Sequence, residues 1–167
     1  MGLRNEPGRS LRPAGLRRPA FWSLFLLVAV AATGASGPGR VRPATRFIPL
    51  TLGAVEFTAE VADTAEKQAL GLMFRRQIPP RFAMIFPYPD EDIRTFWMKN
   101  CSVSLDLIFV NRYHQIIGIT PRVPPCRTEP CPVYASPSPA MFVIEVAGGR
   151  AAELGLREGD VARFSDP

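Results

Sequence analysis

The clearest strand signal in this chain is the apolar run Leu105-Asp-Leu-Ile-Phe-Val110. After a short polar turn, residues 115–119 predict a returning strand, so the two runs form a β-hairpin. One carboxylate, Asp106, interrupts the first strand, where a charge is costly unless a partner offsets it. Lys99 and Arg94 are basic residues close by in the sequence, and we expect one of them to pair with Asp106.

Similar signals extend towards the N-terminus. Residues 47–52 and 55–61 predict a second hairpin, and Pro49 places the first of these strands at a sheet edge. Asp63 or Thr64 is expected to cap a helix of about ten residues, which is too short to be stable unless it packs on the sheet.

The remaining elements are short. Residues 87–92 predict a polar turn, and residues 121–139, with seven prolines, predict a long loop without regular structure. Many strands with tight turns favour a small barrel or sandwich, and the helices are too few for alternating βαβ units. We therefore predict an α+β, mostly β fold: a small barrel-like antiparallel sheet with two short helices. Further strands are expected at 83–86, 94–98, 141–146 and 161–164, and the second helix at 151–154.

Residues 1–37 have the organisation of a secretory signal peptide. Five arginines precede the uncharged run Phe21–Ala32, and small residues follow it. A membrane span needs roughly 20 apolar residues, so this run is short for a permanent anchor. We predict a periplasmic or extracellular protein, anchored to a membrane only if this segment is not cleaved. Residues 38–46 are expected to be a flexible lead-in and residues 47–167 a single β-rich domain.

The charge of the chain outside the signal peptide is close to neutral. The whole sequence carries a net +5, and residues 1–37 contribute +4 from five arginines and one glutamate, which leaves 5 − 4 = +1. A nucleic-acid-binding domain would carry a basic patch. The composition therefore gives no support to nucleic-acid binding, and we expect a small-molecule partner.

A dense set of functional side chains lies between residues 94 and 106. Alternate residues of a strand share a face, so Trp97 and Lys99 should lie opposite Phe96. An aromatic wall with a few fixed polar groups is typical of a ligand pocket, whereas the alternative is a structural salt bridge beside a turn. The candidate ligand-binding residues are Arg94, Phe96, Trp97, Lys99, Asn100, Asp106 and, from the proline-rich loop, Tyr134.

The three cysteines have different expected roles. Cys126 and Cys131 are separated by four residues, and in an exported protein this spacing predicts a local disulfide rather than a Cys-x-x-Cys redox motif. Cys101 is expected to be a small buried residue; the alternative is a nucleophile with His114 as base and Asp106 as orienting group. No cofactor or metal is predicted, because the methionines lie in apolar runs and a zinc site needs four ligands.

Five motifs occur between residues 71 and 160 in a set order. They are Gly71-Leu-Met-Phe-Arg75, Phe96-Trp-Met-Lys-Asn100, Leu105-Asp-Leu-Ile-Phe109, Pro124-Pro-Cys-Arg-Thr-Glu-Pro-Cys-Pro132 and Leu154-Gly-Leu-Arg-Glu-Gly-Asp160. With these motifs in this order, residues 47–164 resemble the domain-of-unknown-function 192 family. The resemblance implies a compact β-rich domain, often exported, without an established activity. Carried over onto this chain, the motif positions are Phe96, Trp97, Met98, Lys99, Asn100 and Asp106. The family usually has a hydroxyl residue where this chain has Cys101.

These observations lead to one functional expectation and two alternatives. We expect an exported binding or accessory module for a small anionic or sugar-like ligand, because Lys99 and Arg94 offer positive charge and Trp97 offers a stacking face. The first alternative is an enzyme that uses Asp106 or Cys101. The second is a structural or interaction domain without a small-molecule site.

Overall fold

The computed structural model describes residues 44–167. The predicted signal peptide and most of the predicted lead-in therefore lie outside the described residues. No helix within residues 44–167 combines the length and the apolar character that crossing a bilayer would take. The chain forms, in order, β1 (Phe47–Leu52), β2 (Val55–Val61), α1 (Ala65–Leu70), β3 (Phe82–Asp92), β4 (Thr95–Trp97), β5 (Leu105–Val110), β6 (Ile116–Val123), β7 (Val133–Ala135), β8 (Ala140–Ala147) and α2 (Arg150–Glu153).

Six strands form one mixed sheet in the order β1-β2-β3-β8-β5-β6, and β4 pairs with β7 in a separate two-stranded sheet. The mostly β fold with two short helices is confirmed. The prediction of an antiparallel sheet is wrong at one place, because β2 and β3 are parallel, with Val61 beside Ile85. A parallel pair needs a crossover connection, which α1 and the loop after it provide.

Both edges of the large sheet contact the C-terminal segment. Thr51 in β1 and Arg163 exchange two backbone hydrogen bonds of 2.8 and 3.0 Å. Gln115, directly before β6, forms an isolated bridge with Val161. The strand predicted at residues 161–164 does not form as a continuous element, and the segment makes only these bridges. Strand pairing within residues 44–167 does not close the six strands into a barrel, and β1 with its Pro49 is an edge strand, as predicted.

A hydrophobic cluster packs on each side of the sheet. All six residues of β5 are buried, and they alternate between the clusters: Leu107 and Phe109 join one, Ile108 and Val110 the other. We call these sides the Phe109 face and the Ile108 face. The Phe109 face also holds Leu72 from the loop after α1, together with the β4–β7 pair, whereas α2 packs on the Ile108 face.

Three local predictions are wrong. The predicted turn at residues 87–92 belongs to β3, which continues to Asp92 because a register shift against β8 absorbs its prolines. The first helix has six residues rather than about ten, since Gly71 ends it with φ of 47°. The proline-rich stretch is not without regular structure: β6 reaches Val123, and β7 forms because β4 supplies its backbone partners.

Candidate functional site

Asp106 is fully buried on the Ile108 face of the sheet. Its Oδ1 accepts the backbone N–H groups of Arg122 at 2.7 Å and Gly149 at 2.8 Å, and its Oδ2 accepts that of Ala151 at 2.7 Å. The expected ion pair with a nearby basic side chain is therefore wrong. Asp106 instead fastens the end of β6 and the first turn of α2 to β5, and these bonds satisfy N–H groups that a helix leaves unpaired at its start.

Arg94 is held beside β3 and β8. Its Nε donates to the carbonyl of Ala140 at 3.1 Å, and one of its terminal nitrogens lies 2.7 Å from Oδ1 of Asp90. The guanidinium also stacks over the ring of Tyr88 at 4.0 Å. These contacts occupy Arg94 in holding the β3–β4 connection, and it does not line either of the recesses described below.

The β4–β7 pair brings three of the predicted residues together. Phe96 lies opposite Tyr134, and Trp97 lies opposite Val133. The ring of Phe96 meets Phe86 edge to face with centroids 5.1 Å apart, so Phe96 is anchored to the Phe109 face. The side chain of Trp97 points outward and is 48% exposed. The segment with Tyr134 therefore lies beside the aromatic residues of β4.

Lys99 and Asn100 form the turn after β4. The Nζ of Lys99 lies 2.8 Å from Oε1 of Glu129 and 5.4 Å from the centroid of the Trp97 ring. Asn100 has a positive φ of 56°, and its carbonyl accepts the N–H of Phe74 at 2.9 Å. The turn thus connects the proline-rich loop on one side with the segment after α1 on the other.

A polar recess of about 180 Å³ lies between this turn and the proline-rich loop. The predicted disulfide between Cys126 and Cys131 is present in this loop. The recess is lined by Lys99, Asn100, Cys126, Arg127, Thr128, Glu129 and Cys131.

Glu145 is not among the site residues predicted from the sequence. This residue lies in β8 on the Phe109 face, between Met84 of β3 and Leu107 of β5. It is only 4% exposed, and its Oε2 has no hydrogen-bond partner among residues 44–167. Because burying an unpaired polar group is costly, a carboxyl in this state is a strong candidate for a functional group.

Glu145 lines a second recess, a shallow cleft of about 30 Å³ that is open to solvent, which we call the Glu145 recess. Gly71 brings the chain close to the carboxyl: a Cβ at this position would lie 3.8 Å from Oε2 of Glu145. Its positive φ is a conformation that glycine adopts readily. The recess is lined by Gln68, Ala69, Leu70, Gly71, Leu72, Met73, Phe86, Phe96, Trp97, Cys101 and Glu145.

Burial raises the pKa of Glu145 to about 8, and the positive charge of Arg75 opposes this shift. Arg75 itself is engaged elsewhere, because it forms a 2.6 Å ion pair with Glu60 and its guanidinium lies 4.9 Å from the centroid of the Phe82 ring. Arg75 is the basic residue whose charge acts on Glu145, yet it forms no hydrogen bond with the Glu145 carboxyl. At neutral pH the carboxyl is mostly protonated and uncharged.

Cys101 and Tyr88 respond to the same environment. Burial, and secondly the charge of Glu145, raise the pKa of the Cys101 thiol to about 11. Burial also raises the pKa of Tyr88, with a further contribution from Glu145. Since the thiolate is the reactive form of cysteine, Cys101 is a poor nucleophile at neutral pH.

The alternative of a Cys101–His114–Asp106 triad is not assembled. The Nε2 of His114 lies 2.7 Å from Oδ1 of Asp166, and its ring stacks on Phe164 at 4.0 Å. Phe164 packs against the cluster of the Ile108 face, whereas Cys101 packs against that of the Phe109 face. No group of three or more His, Cys, Asp or Glu side chains within residues 44–167 is arranged to hold a metal ion.

A signal for Glu145 was present in the sequence. The predicted strand at residues 141–146 contains one acid among apolar residues, which is the pattern that drew attention to Asp106 in β5. Sequence position alone does not show that these two carboxyls lie on opposite faces of neighbouring strands. That arrangement depends on the register of β5 against β8, in which Asp106 pairs with Val146 and Leu107 pairs with Glu145.

Other proteins are similar to this chain in fold and in sequence. A protein of Sinorhizobium meliloti described as a candidate transcription regulator is 27% identical, with a TM-score of 0.67 over 77% of this chain and 100% of that one. A protein of unknown function from Novosphingobium aromaticivorans is 30% identical, with a TM-score of 0.62 over 77% of this chain and 94% of that one. A UPF0127 protein of Pyrococcus horikoshii is 31% identical over 116 residues, which are 66% of this chain and 85% of that protein. The model of the domain-of-unknown-function 192 family, described as an uncharacterised ACR, matches residues 48–164. The chain therefore belongs to this uncharacterised family, as its motifs predicted.

Proposed function

We propose that this protein is an exported binding or accessory module whose ligand enters the Glu145 recess. The observation that carries the proposal is the buried carboxyl of Glu145, whose Oε2 has no partner among the described residues. Apolar and aromatic walls with a few placed polar groups are the usual composition of small-molecule sites. A ligand that bonds to Oε2 would supply the partner that the fold leaves out.

The surface around the recess supports binding. Leu70 and Trp97 line it and are each 48% exposed, and Val133, paired with Trp97, is 63% exposed. Exposed apolar side chains grouped around a recess are typical of a surface that is covered when a ligand or partner binds. This arrangement favours a ligand with an apolar body.

The chemistry of the two alternative catalytic residues favours binding over catalysis. The raised pKa of Cys101 keeps its thiol protonated, and both oxygens of Asp106 are occupied by backbone N–H groups. Neither residue is therefore available as an activated nucleophile or base in this arrangement.

The polar recess is a second candidate site, for an anionic or sugar-like ligand. Lys99 and Arg127 line it together with Asn100, and they supply positive charge and hydrogen-bond donors. Lys99 is already paired with Glu129, so an anion would have to displace that carboxylate. If this is the site, Lys99→Ala should weaken binding of inorganic phosphate while Trp97→Leu should not.

A small ligand is a better match than nucleic acid for this chain, although one structural relative is described as a candidate transcription regulator. The chain outside residues 1–37 carries only +1, as derived above from the whole-chain charge. Binding to nucleic acid rests largely on contacts from basic residues to phosphates.

Export is supported by the N-terminal sequence and by a disulfide in the domain. Mass spectrometry on protein recovered from the periplasm or medium should give a mass that lacks residues 1–37 or a segment close to it. Full-length protein confined to the cytoplasm would contradict this part of the proposal.

Binding at the Glu145 recess is tested by following the indole N–H resonance of Trp97 during a small-molecule screen. At least one ligand class should shift this resonance, and Trp97→Leu should weaken binding of that ligand. Tyr113→Leu is the matched control, since Tyr113 is 73% exposed and lines neither recess. Equal loss in both variants, or no shift with any ligand class, would count against the proposal.

A further inference from the structure

The Glu145 recess combines aromatic side chains with a single carboxyl group. Three aromatic side chains, Phe86, Phe96 and Trp97, line it, and Glu145 is its one acidic group. The faces of aromatic rings attract cations, and a carboxylate accepts hydrogen bonds but cannot donate them. Aromatic walls beside a carboxyl are thus suited to a positively charged group that carries N–H donors.

Among the residues that the structure describes, no basic side chain lines this recess. Arg75, whose charge acts on Glu145, is bonded to Glu60 at 2.6 Å. Lys99, whose Nζ lies 5.4 Å from the centroid of the Trp97 ring, is bonded to Glu129 at 2.8 Å. Each of these cations has its own carboxylate, whereas Oε2 of Glu145 has no partner among residues 44–167.

We propose that the Glu145 recess binds its ligand through a primary or methylated ammonium group, held between the carboxylate of Glu145 and the rings of Phe96 and Trp97. The inference rests on the proposed binding function and specifies its ligand class. An anionic head group would meet no basic side chain lining this recess, and it would hold the carboxyl in its protonated form rather than form an ion pair with it. The apolar body of the ligand lies against Leu70 and Trp97, whose side chains extend to the surface.

Binding is accompanied by the release of a proton. Arg75 acts on Glu145 through its charge, which favours the carboxylate. Cys101 and Tyr88, on which the charge of Glu145 acts, stay uncharged at neutral pH because burial raises the pKa of each. Without ligand, the carboxyl is protonated below about pH 8. When the ammonium group binds, the carboxyl proton leaves to solvent, the ammonium keeps its own protons, and an ion pair forms. Affinity should therefore rise by about tenfold for each pH unit below the pKa and level off above it.

The test compares three probes of the same shape: n-butylammonium, n-butanol and butyrate. Calorimetric titrations of the full chain at pH 6 to 9, in two buffers with different heats of ionisation, give both the affinity and the number of protons released. We expect n-butylammonium to bind most tightly, to gain about tenfold in affinity between pH 6 and 7, and to release about one proton at pH 6 and almost none at pH 9. In Glu145→Gln the pH dependence should disappear and the preference for the ammonium over the alcohol should be lost.

Other outcomes separate this inference from the function on which it rests. If n-butanol or butyrate binds at Trp97 and n-butylammonium does not, the recess is a ligand site but the ammonium assignment is wrong. If n-butylammonium binds without proton release, and equally well to Glu145→Gln, the carboxyl is not its partner and the inference fails. If none of the three probes binds and the screen with Trp97 is also negative, both proposals fail. Should Glu145→Gln not fold, Trp97→Leu must lower the affinity for n-butylammonium while leaving the proton release at one.

Discussion

Two buried carboxyls lie on neighbouring strands and face opposite sides of the sheet. Asp106 in β5 accepts three backbone N–H groups at 2.7 to 2.8 Å. Glu145 in β8 is almost as deeply buried, yet its Oε2 has no partner among the described residues, and burial raises its pKa to about 8. The two residues are one register position apart, since Asp106 pairs with Val146 and Leu107 with Glu145.

This difference teaches how to separate a structural acid from a functional one. Asp106 stabilises the fold because its hydrogen bonds replace those it gave up on leaving water. Glu145 lacks that compensation among the described residues, and under the proposed function a ligand supplies it. Both acids interrupt an apolar strand in the sequence, and only their hydrogen-bond partners distinguish them.

The largest expected effect comes from changing each carboxyl to the amide of the same shape. Asp106→Asn should lower the free energy of unfolding by about 3 kcal/mol, because the new NH₂ group faces a backbone donor and leaves it unsatisfied. Glu145→Gln, the matched control, should leave this free energy unchanged or raise it at pH 6, because the wild-type carboxyl is uncharged in the folded state and ionised in the unfolded state. Urea denaturation of both variants measures the two values. Equal costs would remove the distinction between the two acids.

The next effect is the dependence of stability on pH. Glu145 has a folded-state pKa of about 8 against a reference value of 4.5, so between these values the folded state binds a proton that the unfolded state has lost. The stabilising contribution of Glu145 to the free energy of unfolding is complete below pH 4.5. It is lost as the pH rises towards 8, by about 1 kcal/mol per pH unit. The difference in the free energy of unfolding between the wild type and Glu145→Gln, taken at each pH, separates the slope due to Glu145 from the slopes due to the other acids. Parallel stability curves for the two proteins between pH 5 and 8 would contradict it.

A smaller effect should appear at Cys101. Its raised pKa has burial as the first cause and the charge of Glu145 as the second, so Glu145→Gln removes only the lesser one. Alkylation of Cys101 by iodoacetamide at pH 9 should therefore be faster in the variant, by less than about tenfold. A folded variant with an unchanged rate would show that the two groups do not interact.

The smallest effect concerns a charge at the surface. Lys99 is about a third exposed and is paired with Glu129, which is mostly exposed. Because such pairs contribute little, Lys99→Met should change the free energy of unfolding by less than about 1 kcal/mol. A loss comparable to that of Asp106→Asn would mean that the proline-rich loop depends on this contact for its structure.

The strands were the most predictable part of the molecule. Alternation in residues 55–61 and the apolar run 105–110 fixed the elements near their observed bounds, because burial selects these residue types directly. The parallel pairing of β2 and β3 was not predictable from either strand, since it depends on where the chain crosses after α1. Likewise, β7 exists because β4 pairs with it, although its own sequence lies among prolines.

The candidate site was predicted in part. Phe96, Trp97 and Tyr134 do lie together, because β4 and β7 pair in register. Arg94 and Asp106, which are close to them in sequence, are bonded elsewhere. Glu145 reaches the recess from a strand more than forty residues away in the sequence. Contacts across a sheet of this order depend on the topology, which a local pattern does not contain.

The bridges made by residues 161–163 also bear on how molecules of this protein meet one another. An edge strand with free N–H and C=O groups is a template for pairing with another chain. Thr51 on one edge and Gln115 beside the other are both already bonded to this single segment. The segment thus partly shields the sheet from edge-to-edge association, and a variant that weakens these bridges would lose solubility before it loses its core.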